Sequence, residues 1–394
     1  MNILKLLDRK NSLFKFDLKK NQNNIDCALV GARVLVVGAA GTIGSAVSAQ
    51  IFKRFPSELH LVDISENNLV ETVRYLRSLN IKSDCNLRSF VSDVSSDEFV
   101  KLVKNFGPYD YVLNLSALKH VRSERDPYSL YRLMKTNIVG SIKLNALCEE
   151  MKVRKYFCVS TDKAADPINA MGCSKRAMEV LLLSQQFSHP ISFARFANVA
   201  FSDGSLLDGF NKRFKNNQPL TAPKDISRYF ITPEEAGNLC LISTIFAQHG
   251  EVFIPENNQE LKPIKFELIL QNFLLEKGFV PKYCHNESEA RNFFTAYDDL
   301  LSWPVYLFDS DTSGEKSIEI FSSVSETVLK ADFKEISKVK VDKGVYKDAN
   351  QFIQKMDNIT TGDKIIKEDL LNLLSWVVPE FEHLDTGKSL DERM

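Results

Sequence analysis

The sequence predicts an α/β fold, a doubly wound parallel sheet with a smaller mixed α/β lobe. Three observations support this fold class. Short apolar runs alternate with amphipathic segments over the first half of the chain, a glycine-rich turn joins the first run to the segment after it, and the alternation becomes irregular after residue 202. Regular strand–helix alternation with short connections is typical of a parallel sheet covered by helices on both faces.

Six runs rich in β-branched and aromatic residues are predicted to be strands, because such side chains pack well on a pleated surface. In order they are "RVLVVG", "ELHLVD", "LRSFVSD", "YVLNLSA", "KYFCVST" and "ISFARFANV". The segments between them carry apolar residues at helical spacing, which predicts helices on the faces of the sheet. They include "TIGSAVSAQIFKRF", "NLVETVRYLRSL", "DEFVKLVKNF", "LYRLMKTNIVGSIKLNALCEEM" and "SKRAMEVLLLSQQF".

Changes of pattern divide the chain into four segments. Residues 1–30 are predicted to form a short amphipathic helix followed by a polar connector, "KKNQNNID". Residues 31–201 are predicted to form the parallel-sheet domain, and residues 202–320 the smaller lobe that binds a substrate. Residues 321–394 are predicted to be a mixed, charged extension.

Composition is that of an ordinary soluble globular protein. The 394 residues are 44% hydrophobic and 26% charged, with a formal charge of −1, which is enough for an ample core. The near-neutral balance and the absence of a Lys/Arg block argue against a nucleic-acid partner. No apolar run is long enough to span a bilayer, and the N-terminus has no signal-peptide cleavage site. We therefore expect a cytoplasmic protein.

The seven cysteines argue against a metal site or a disulfide framework. They are scattered, odd in number and never form C-x-x-C, so no metal is expected. Cys173 lies near the candidate site described below, but a small buried side chain is the favoured interpretation.

A glycine-rich turn follows the first predicted strand and opens the first predicted helix. Residues 38–44, Gly-Ala-Ala-Gly-Thr-Ile-Gly, have the spacing G-x-x-G-x-x-G. Glycines permit a tight turn and let the backbone approach a pyrophosphate, which then lies at the helix N-terminus. The sequence therefore predicts a dinucleotide-binding Rossmann domain whose contacts come from Gly38, Ala40, Gly41, Thr42, Ile43 and Gly44.

Acidic residues end the next two strands. Asp63 follows Gly44 by 19 residues and suits the ribose hydroxyls of an adenosine, which favours NAD over NADP. A helix N-cap is the alternative interpretation of Asp63. Asp93 and Val94 are predicted to meet the adenine edge, although a plain turn aspartate is almost as well supported.

The fourth predicted strand ends where strand order reverses in doubly wound sheets and ligands bind. The small residues Ser116 and Ala117 are predicted to let the chain pass close to a cofactor. Lys119 and His120 are predicted to contact substrate, although a solvated basic pair fits the same residues. Asn137, a polar residue inside an apolar helix, is predicted either to bond the backbone of the catalytic loop or to bend its own helix.

The fifth predicted strand leads into "STDKAADPINAMGCSK", residues 160–175. In many nicotinamide-dependent enzymes a Tyr-x-x-x-Lys pair occupies this position, and its tyrosine moves a proton while the cofactor moves a hydride. Here Lys175 is present but Met171 replaces the tyrosine, and a thioether cannot transfer a proton. Asp162 and Lys163 are a candidate acid and base, with a helix cap and a solvated lysine as the alternative.

With these residues assembled, the chain resembles the extended short-chain dehydrogenase/reductases. Within them it is similar to the UDP-N-acetylglucosamine 4,6-dehydratases of the polysaccharide-biosynthesis type, in the subgroup with Met in place of Tyr. The match extends from about residue 30 to residue 240 and rests on "GAAGTIG", "SALKHV", "KTNIVG", "STDKA", "MGCSKRAME", "RFANV" and "SRYFITPEEA". The resemblance implies an NAD-dependent hydro-lyase that binds a UDP-sugar. It also implies a homodimer or higher oligomer, formed through two long helices of each subunit, "LYRLMKTNIVGSIKLNALCEEM" and "SKRAMEVLLLSQQF".

The resemblance further implies a reaction. Oxidation of the sugar C4 hydroxyl makes a ketone, a base removes the acidified C5 proton, water leaves from C6, and the hydride returns to C6. Asp162 would be the acid and Lys163 the base, which requires a lowered lysine pKa. Lys175 would bond the nicotinamide ribose. Thr161 would replace the missing tyrosine at C4 and relay the proton through water, Lys175 or the cofactor ribose.

Asn198 and Arg228, which follow the fifth predicted strand in the chain, are predicted to hold the diphosphate of the substrate. Asn198 would donate to it, and Arg228 supplies a fork suited to phosphate oxygens. Arg195 is interpreted as structural. Residues 202–205, Ser-Asp-Gly-Ser, depart from the arginine-glycine that is common in the family. Trp303 and the loop "SDTSGEK" are predicted to be packed and on the surface, with a cover over the site as the alternative.

Two other functions stay open at this point. A nucleotide-sugar epimerase needs only reversible oxidation at C4, so it would not require the Asp162–Lys163 pair. A non-catalytic NAD-binding regulator would explain Met171, but not the presence of Thr161 and Lys175 beside that pair.

Overall fold

A nine-stranded sheet forms the centre of the computed structural model. The structure describes residues 1–256, 260–296, 301–310, 319–341 and 347–383. The strands of the described residues, which belong to this sheet and to three smaller ones, are in chain order β1 Arg33–Val37, β2 Glu58–Asp63, β3 Asn86–Val91, β4 Tyr111–Asn114, β5 Lys155–Val159, β6 Ile191–Ala194, β7 Asn198–Val199, β8 Leu220–Pro223, β9 Ser227–Arg228, β10 Phe230–Ile231, β11 Glu251–Pro255, β12 Ile264–Lys265, β13 Val280–Cys284, β14 Ser302–Phe308, β15 Val328–Lys330 and β16 Ile336–Lys340.

Helices cover both faces of this sheet and build most of the second lobe. They are α1 Ile3–Leu6, α2 Lys15–Lys20, α3 Gln22–Leu29, α4 Thr42–Phe52, α5 Glu66–Ser78, α6 Asp97–Phe106, α7 Pro127–Met134, α8 Gly140–Met151, α9 Ala170–Leu183, α10 Leu206–Lys215, α11 Pro233–Phe246, α12 Phe266–Glu276, α13 Glu287–Ala296, α14 Ala349–Ile359 and α15 Lys367–Val377. A π-helical turn, Lys135–Val139, joins α7 to α8, and short 3-10 turns span Val121–Glu124 and Asp162–Ala164.

The order of strands in the central sheet is β15-β16-β11-β6-β5-β4-β1-β2-β3. The neighbours from β11 to β3 are all parallel, whereas β16 and β15 add antiparallel strands at one edge. The order reverses at β1, which pairs with β2 on one side and β4 on the other. The predicted doubly wound α/β fold is therefore confirmed, with its crevice at the carboxyl ends of β1 and β4.

The central strands are continuous apolar runs because helices bury them on both sides. Residues 34–37 of β1 and 156–159 of β5 are at most 6% exposed. The helices around them begin where a polar side chain accepts a backbone N–H of the first turn, which satisfies a donor that has no partner within the helix. These caps are Ser65 for α5, Ser96 for α6, Asp126 for α7 and Asn169 for α9.

The N-terminal residues form three helices, where the sequence predicted one helix and a polar connector. The predicted connector, residues 19–26, contains the end of α2 and the first part of α3. Ile25 and Leu29 lie on one face of α3 and are buried in the main core. Two apolar side chains at i, i+4 spacing are enough to dock this otherwise polar helix.

The predicted boundaries at residues 201 and 320 do not separate structural units. Strand β11, from the segment assigned to the smaller lobe, and strands β15 and β16, from the predicted extension, all join the central sheet. Helix α11 packs on α4, where Gly237 permits close approach: an added Cβ would lie 2.9 Å from the backbone of Ala46. The chain therefore returns twice to the Rossmann sheet after it has left it.

The second lobe has its own core around a three-stranded sheet, β13-β14-β8. Trp303 is 5% exposed, and its ring stacks on Phe214 with centroids 4.3 Å apart. Its indole N–H donates to the Gln218 carbonyl oxygen at 3.1 Å. Trp303 is thus a packed core residue, as predicted. Most of the loop "SDTSGEK" lies outside the described residues.

A buried ion network ties the segment before β15 to the sheet. Arg195, directly after β6, pairs with Glu179 of α9 at 2.5 Å and with Glu326 at 2.6 Å, and all three side chains are fully buried. Arg176 pairs with the same Glu326 at 3.0 Å. The Arg195 guanidinium also donates to the Phe321 carbonyl oxygen at 3.3 Å. The predicted structural role of Arg195 matches this position.

The predicted route of dimerisation is not available on α9. Thirteen of its fourteen residues are buried within the single chain. Helix α15 packs against α9 and α7, using buried Leu370, Leu373, Leu374 and Val377 at helical spacing. Because α15 comes from the distant C-terminal part, the sequence pattern of α9 alone did not show that this face is covered. A homodimer or higher oligomer, and the part in it predicted for the segment that forms α7 and α8, stay predictions.

Removal of Glu326 is expected to destabilise the fold strongly. Glu326→Ala deprives Arg195 and Arg176 of a buried carboxylate, and breaking a buried pair in this way costs about 3–5 kcal/mol. Denaturant unfolding followed by fluorescence measures the loss. The control Glu71→Ala removes an exposed pair with Arg74, which is expected to leave the free energy of unfolding unchanged within error. An equally small loss in Glu326→Ala would show that the network does not stabilise the fold.

Candidate active site

A cleft of about 890 Å³ lies at the carboxyl ends of β1, β4 and β5, between the central sheet and the second lobe. This is the position at which doubly wound sheets bind ligands. Fourteen of the residues predicted to bind or react line it. They are Gly38, Gly41, Thr42, Ile43, Gly44, Ala117, Lys119, His120, Thr161, Asp162, Lys163, Met171, Lys175 and Asn198.

Seven other predicted residues are not part of the cleft wall. Each contacts other residues of the protein, as described below. They are Ala40, Asp63, Asp93, Val94, Ser116, Asn137 and Arg228.

The glycine turn is built from backbone contacts that exclude side chains. Gly38 has a φ of +77°, and a Cβ there would lie 2.5 Å from the Ser116 nitrogen. A Cβ on Gly44 would lie 2.0 Å from the Gly38 oxygen. Gly41 differs, because an added Cβ would meet no atom closer than 3.6 Å. Gly41 therefore leaves space in front of the N-terminus of α4, where exposed N–H groups favour an anion.

Asp63 supports the glycine turn from the end of β2. Its carboxylate accepts the N–H of Ala40 at 2.9 Å and that of Ser65 at 2.9 Å. The cap of α5 is Ser65, whose hydroxyl accepts the Asn68 N–H. The alternative interpretation of Asp63 as the helix cap is therefore wrong. The contact with a ribose stays a prediction.

Asp93 and Val94 have structural partners. Asp93 accepts hydrogen bonds from Ser95 and pairs with Arg132 at 2.5 Å. Burial acts to raise the pKa of Asp93, but these hydrogen bonds outweigh it and lower that pKa. Val94 is buried against Gly140, where an added Cβ would lie 2.7 Å from Val94 Cγ1. Contact of either residue with an adenine stays a prediction.

The loop after β4 is held by two buried asparagines. Asn114 accepts the hydroxyl of Ser116 at 2.6 Å. Asn137, in the π-helical turn, accepts the Leu118 N–H at 2.9 Å and donates to the Leu118 carbonyl oxygen and to the Ser174 hydroxyl. Asn137 is fully buried. It therefore holds the loop from behind, as one of its two predicted interpretations stated, and does not reach the cleft.

Lys119 and His120 face the loop that departs from the family pattern. The Lys119 ammonium donates to the Ser202 hydroxyl at 3.3 Å. Gly204 has a φ of +71°, and an added Cβ would lie 3.0 Å from the His120 ring. Desolvation lowers the pKa of Lys119, although the negative charge of Asp203 opposes this shift. Asp203 thus acts on a lysine of the cleft wall.

Thr161, Asp162 and Lys163 form one hydrogen-bonded cluster. Asp162 Oδ1 accepts the Thr161 hydroxyl at 2.8 Å, and it accepts the N–H and the ammonium of Lys163 at 2.9 and 3.3 Å. Asp162 Oδ2 is buried and has no hydrogen-bond partner among the described residues. The cap of α9 is Asn169, so the helix-cap alternative for Asp162 is wrong. A buried carboxylate oxygen without a partner is costly in a folded protein, and such atoms occur at catalytic sites.

Lys163 has a second carboxylate partner that the sequence did not reveal. Glu319 Oε1 lies 3.4 Å from Lys163 Nζ, and Glu319 is only 6% exposed. Burial acts to lower the pKa of Lys163, but Asp162 and Glu319 outweigh it and raise that pKa. The predicted lowering is therefore wrong, because the charges of Asp162 and of Glu319 from a distant segment together outweigh burial. The one sequence signal was an acidic residue within the apolar run "SIEIF".

Lys175 and Met171 occupy the wall next to this cluster. The Lys175 ammonium is buried and donates to the Val159 carbonyl oxygen at 3.2 Å. Burial lowers the pKa of Lys175 to about 8. Met171 lies one turn earlier and is 4% exposed. The lysine of the Tyr-x-x-x-Lys pattern is thus in place, with an apolar side chain where that pattern has its tyrosine.

The second lobe closes the cleft with polar and basic side chains. Asn198 lines it, whereas Arg228 is buried and donates to the carbonyl oxygen of the residue before it. The positive charge of Arg228 acts on Lys163. Lys212 and Arg213 of α10 also line the cleft, and they were missed. In the sequence, Lys212 and Arg213 appear only as a basic pair at the end of an amphipathic helix, a pattern that many exposed helices share and that does not indicate a binding site.

Other possible sites were searched within the described part of the chain. It contains no group of three or more His, Cys, Asp or Glu side chains arranged to hold a metal ion. No helix among the same residues has the length and apolar character needed to cross a membrane. Cys173 is a free, buried thiol, in keeping with the predicted packing role.

Comparison with known proteins identifies a family and several relatives that this chain resembles. Residues 34–284 match the family described as "Polysaccharide biosynthesis protein". The chain is 29% identical to the capsular polysaccharide biosynthesis protein CapD of Staphylococcus aureus over 71% of its own length, but it spans only 46% of CapD. It is 27% identical to a UDP-N-acetylglucosamine 4,6-dehydratase (inverting) of Campylobacter jejuni, with 57% of this chain and 67% of that protein covered.

A relative with another activity and a solved structure complete the comparison. The chain is 25% identical to a UDP-glucose 4-epimerase of Rickettsia bellii, with 58% of this chain and 67% of that protein covered. Pen from Bacillus thuringiensis has the same fold, with a TM-score of 0.65 and 20% identity over 89% of this chain and 98% of Pen.

The doubly wound sheet, the glycine turn and the Met-x-x-x-Lys helix beside the cleft define an extended short-chain dehydrogenase/reductase. Its relatives include nucleotide-sugar dehydratases and epimerases. The family match covers more than half of the chain, and the protein belongs to the polysaccharide biosynthesis protein family.

Alanine is expected to be far more destabilising at Gly44 than at Gly41. Gly44→Ala forces a Cβ into the Gly38 carbonyl, which we expect to cost about 3 kcal/mol, although alanine is intrinsically the better helix residue by about 1 kcal/mol. The Cβ of Gly41→Ala would make only an ordinary van der Waals contact, 3.6 Å from the Gly38 oxygen, and this variant is expected to be nearly neutral. Denaturant unfolding of the ligand-free variants measures both. Equal losses would show that the close contact at Gly44 does not require glycine.

Proposed function

We propose that this protein is an NAD-dependent UDP-N-acetylglucosamine 4,6-dehydratase that forms a UDP-4-keto-6-deoxy-N-acetylhexosamine. The Thr161–Asp162–Lys163 cluster carries the proposal. It sets a buried carboxylate, with one oxygen lacking a partner in the described chain, next to an ammonium on the cleft wall. Elimination of water requires an acid and a base side by side, whereas oxidation of an alcohol alone does not. A dehydratase among the relatives supports the same class.

The glycine turn suits a dinucleotide. The N-terminus of α4 opens onto the cleft in front of Gly41, where the backbone leaves room for a pyrophosphate. Asp63 at the end of β2 favours NAD, because its carboxylate would repel the 2′-phosphate of NADP. When bound, the nicotinamide supplies hydride chemistry, as acceptor from the sugar C4 and donor to C6.

Thr161 provides a route for the proton of the C4 hydroxyl. Its own hydroxyl already donates to Asp162 Oδ1. Thr161 Oγ1 can therefore take the C4 proton as it passes its own proton to Asp162, so that no free threonine alkoxide forms. The Lys175 ammonium provides positive charge on the same wall. This route differs from the relays through water, Lys175 or the ribose that the sequence suggested, and it needs no tyrosine.

Asp162 is then protonated and ready to act as the acid. Lys163, in its amine form, removes the C5 proton, which the C4 ketone has acidified, and the C5–H electron pair moves into the sugar. Asp162 donates its proton to the C6 hydroxyl, which leaves as water. After C6 is reduced, Lys163 returns a proton to C5. The proton taken from C4 thus leaves in the water, and the enzyme ends unchanged.

The diphosphate of the substrate is assigned to the second lobe. Asn198 on β7 and the basic pair Lys212 and Arg213 on α10 line the cleft there. Their donors and charge suit phosphate oxygens. Arg228, which was predicted for this task, is buried, and its positive charge acts on both Lys163 and Glu319. We therefore place Arg228 beneath the acid–base pair.

A C4 epimerase is the alternative enzyme, because one relative carries that name. Its chemistry ends with the hydride returned to C4, so no acid at C6 and no base at C5 take part. The buried Asp162–Lys163 pair would have no task there. A non-catalytic NAD-binding protein would leave the same pair and the Thr161 hydrogen bond without a purpose.

Incubation with UDP-N-acetylglucosamine is expected to give a product lighter by one water, as measured by mass spectrometry. Asp162→Asn and Lys163→Ala each remove a proton-transfer group, and we expect the rate of water loss to fall about 100-fold or more in each. Lys104→Ala, on an exposed helix surface, is the control and should keep the wild-type rate. A product of unchanged mass would favour the epimerase, and wild-type rates in the variants would contradict the assigned roles.

Lys175 is expected to limit C4 oxidation at alkaline pH. With a pKa of about 8 in the folded protein, its ammonium is present below that pH and is lost above it. We therefore expect the oxidation rate, isolated with substrate deuterated at C4, to fall as the pH rises through about 8. Lys175→Arg stays charged at every pH. The activity that Lys175→Arg keeps should not fall near pH 8. If the fall near pH 8 persists in this variant, a group other than Lys175 causes it.

A further inference from the structure

A carboxylate from a distant segment reaches the proposed acid–base pair from behind. Lys163 Nζ lies between two acidic side chains, 3.3 Å from Asp162 Oδ1 and 3.4 Å from Glu319 Oε1. Asp162 and Lys163 line the cleft, whereas Glu319 is not part of its wall and is only 6% exposed. Glu319 is therefore placed to act on a bound sugar through Lys163, the cleft residue with which it pairs.

Glu319 is held in place by the buried ion network. Glu326, seven residues further along the chain, pairs with Arg195 and Arg176 at 2.6 and 3.0 Å. Between the two glutamates, the Phe321 carbonyl oxygen accepts a hydrogen bond from Arg195 at 3.3 Å. Withdrawal of this segment would leave buried charges without partners, which is strongly unfavourable. The segment is thus fixed beside Lys163.

We propose that Glu319 is the proton acceptor for Lys163, a positioning residue that converts the lysine ammonium into the amine needed at C5. The proposal rests on the proposed dehydratase function. An Nζ–H bond of Lys163 breaks and an Oε1–H bond of Glu319 forms, which leaves the amine lone pair free. That lone pair binds the C5 proton. After Lys163 has returned a proton to C5, Glu319 returns its proton to the lysine, so that no proton is gained or lost.

The surrounding charges explain why an internal acceptor is needed. Asp162 and Glu319 keep Lys163 protonated by raising its pKa against the effect of burial, so solvent at neutral pH does not deprotonate it. Burial raises the pKa of Glu319 and Asp162 adds to this shift, whereas Lys163 and Arg228 oppose it. A buried carboxylate with a raised pKa accepts a proton more readily than an exposed one.

Kinetics of Glu319→Gln test this role with substrate deuterated at C5. The amide has the same shape but cannot accept the proton. We expect kcat to fall about 100-fold with KM unchanged, and the isotope effect at C5 to increase because proton removal becomes limiting. Since Lys163 must then release its proton to solvent, kcat of the variant should rise with pH through the neutral range, whereas wild-type kcat there should not. Glu319→Asp keeps an acid and should recover part of kcat together with the wild-type pH dependence.

Exposed Glu368 of α15 provides a matched control. Glu368→Gln should retain every wild-type parameter. Wild-type kcat and pH dependence in Glu319→Gln would overturn the proposal, and so would a fall in kcat without a larger isotope effect at C5. If thermal unfolding shows that Glu319→Gln does not fold, Glu319→Asp takes its place as the test. The proposal then predicts that Glu319→Asp has both a reduced kcat and a larger C5 isotope effect. A reduced kcat without the larger isotope effect, or the reverse, would contradict the proposal.

A measurement without substrate separates this proposal from the proposed function. Competitive acetylation followed by mass spectrometry reports the pKa of Lys163 in the resting protein. Loss of the Glu319 charge should lower that pKa in Glu319→Gln. An unchanged pKa would overturn the pairing whatever the reaction is, whereas wild-type protein that releases no water would refute the dehydratase alone.

Discussion

The candidate site depends on the buried pairing of Arg195 with Glu179 and Glu326. Glu179 also accepts the Ser160 hydroxyl at 2.6 Å, so the network contacts the residue before Thr161. It therefore joins the end of β5, helix α9 and the segment that carries Glu319. Buried charges are tolerated only when each finds its partners, and loss of one carboxylate leaves others uncompensated. The network consequently holds these three elements together, and the residues proposed to be catalytic lie on or beside them.

Parts of the site that depend on short stretches of chain could be predicted from the sequence. The glycine turn follows from contacts between Gly38 and Gly44, and the hydrogen-bonded cluster of Thr161, Asp162 and Lys163 is made by three consecutive residues that follow β5. Parallel strands end at the same edge of a sheet, so the position of these stretches relative to one another follows from strand order. The doubly wound fold was predictable for the same reason, since each strand–helix unit has its own apolar period.

What the sequence did not show depends on contacts between distant segments. Glu319 meets Lys163, and α15 covers α9, through pairings that no local pattern specifies. The wrong sign for the pKa of Lys163 came from underestimating its carboxylate partners, because Asp162 and the unseen Glu319 together outweigh the effect of burial. The boundary predictions failed similarly, since edge strands β15 and β16 look like any amphipathic run until their partner β11 is known.

Met171 can then be understood from the order of proton transfers in the proposed reaction. In that proposed reaction, Asp162 would become an acid only by receiving, through Thr161, the proton released when C4 is oxidised. A tyrosine at position 171 would offer that proton a second acceptor and could leave Asp162 ionised, with nothing to donate at C6. An apolar side chain there keeps the single route, and it makes departure of water conditional on oxidation. Glu319 would do the same for the base, because Lys163 can remove the C5 proton only after its own proton has moved to that buried carboxylate.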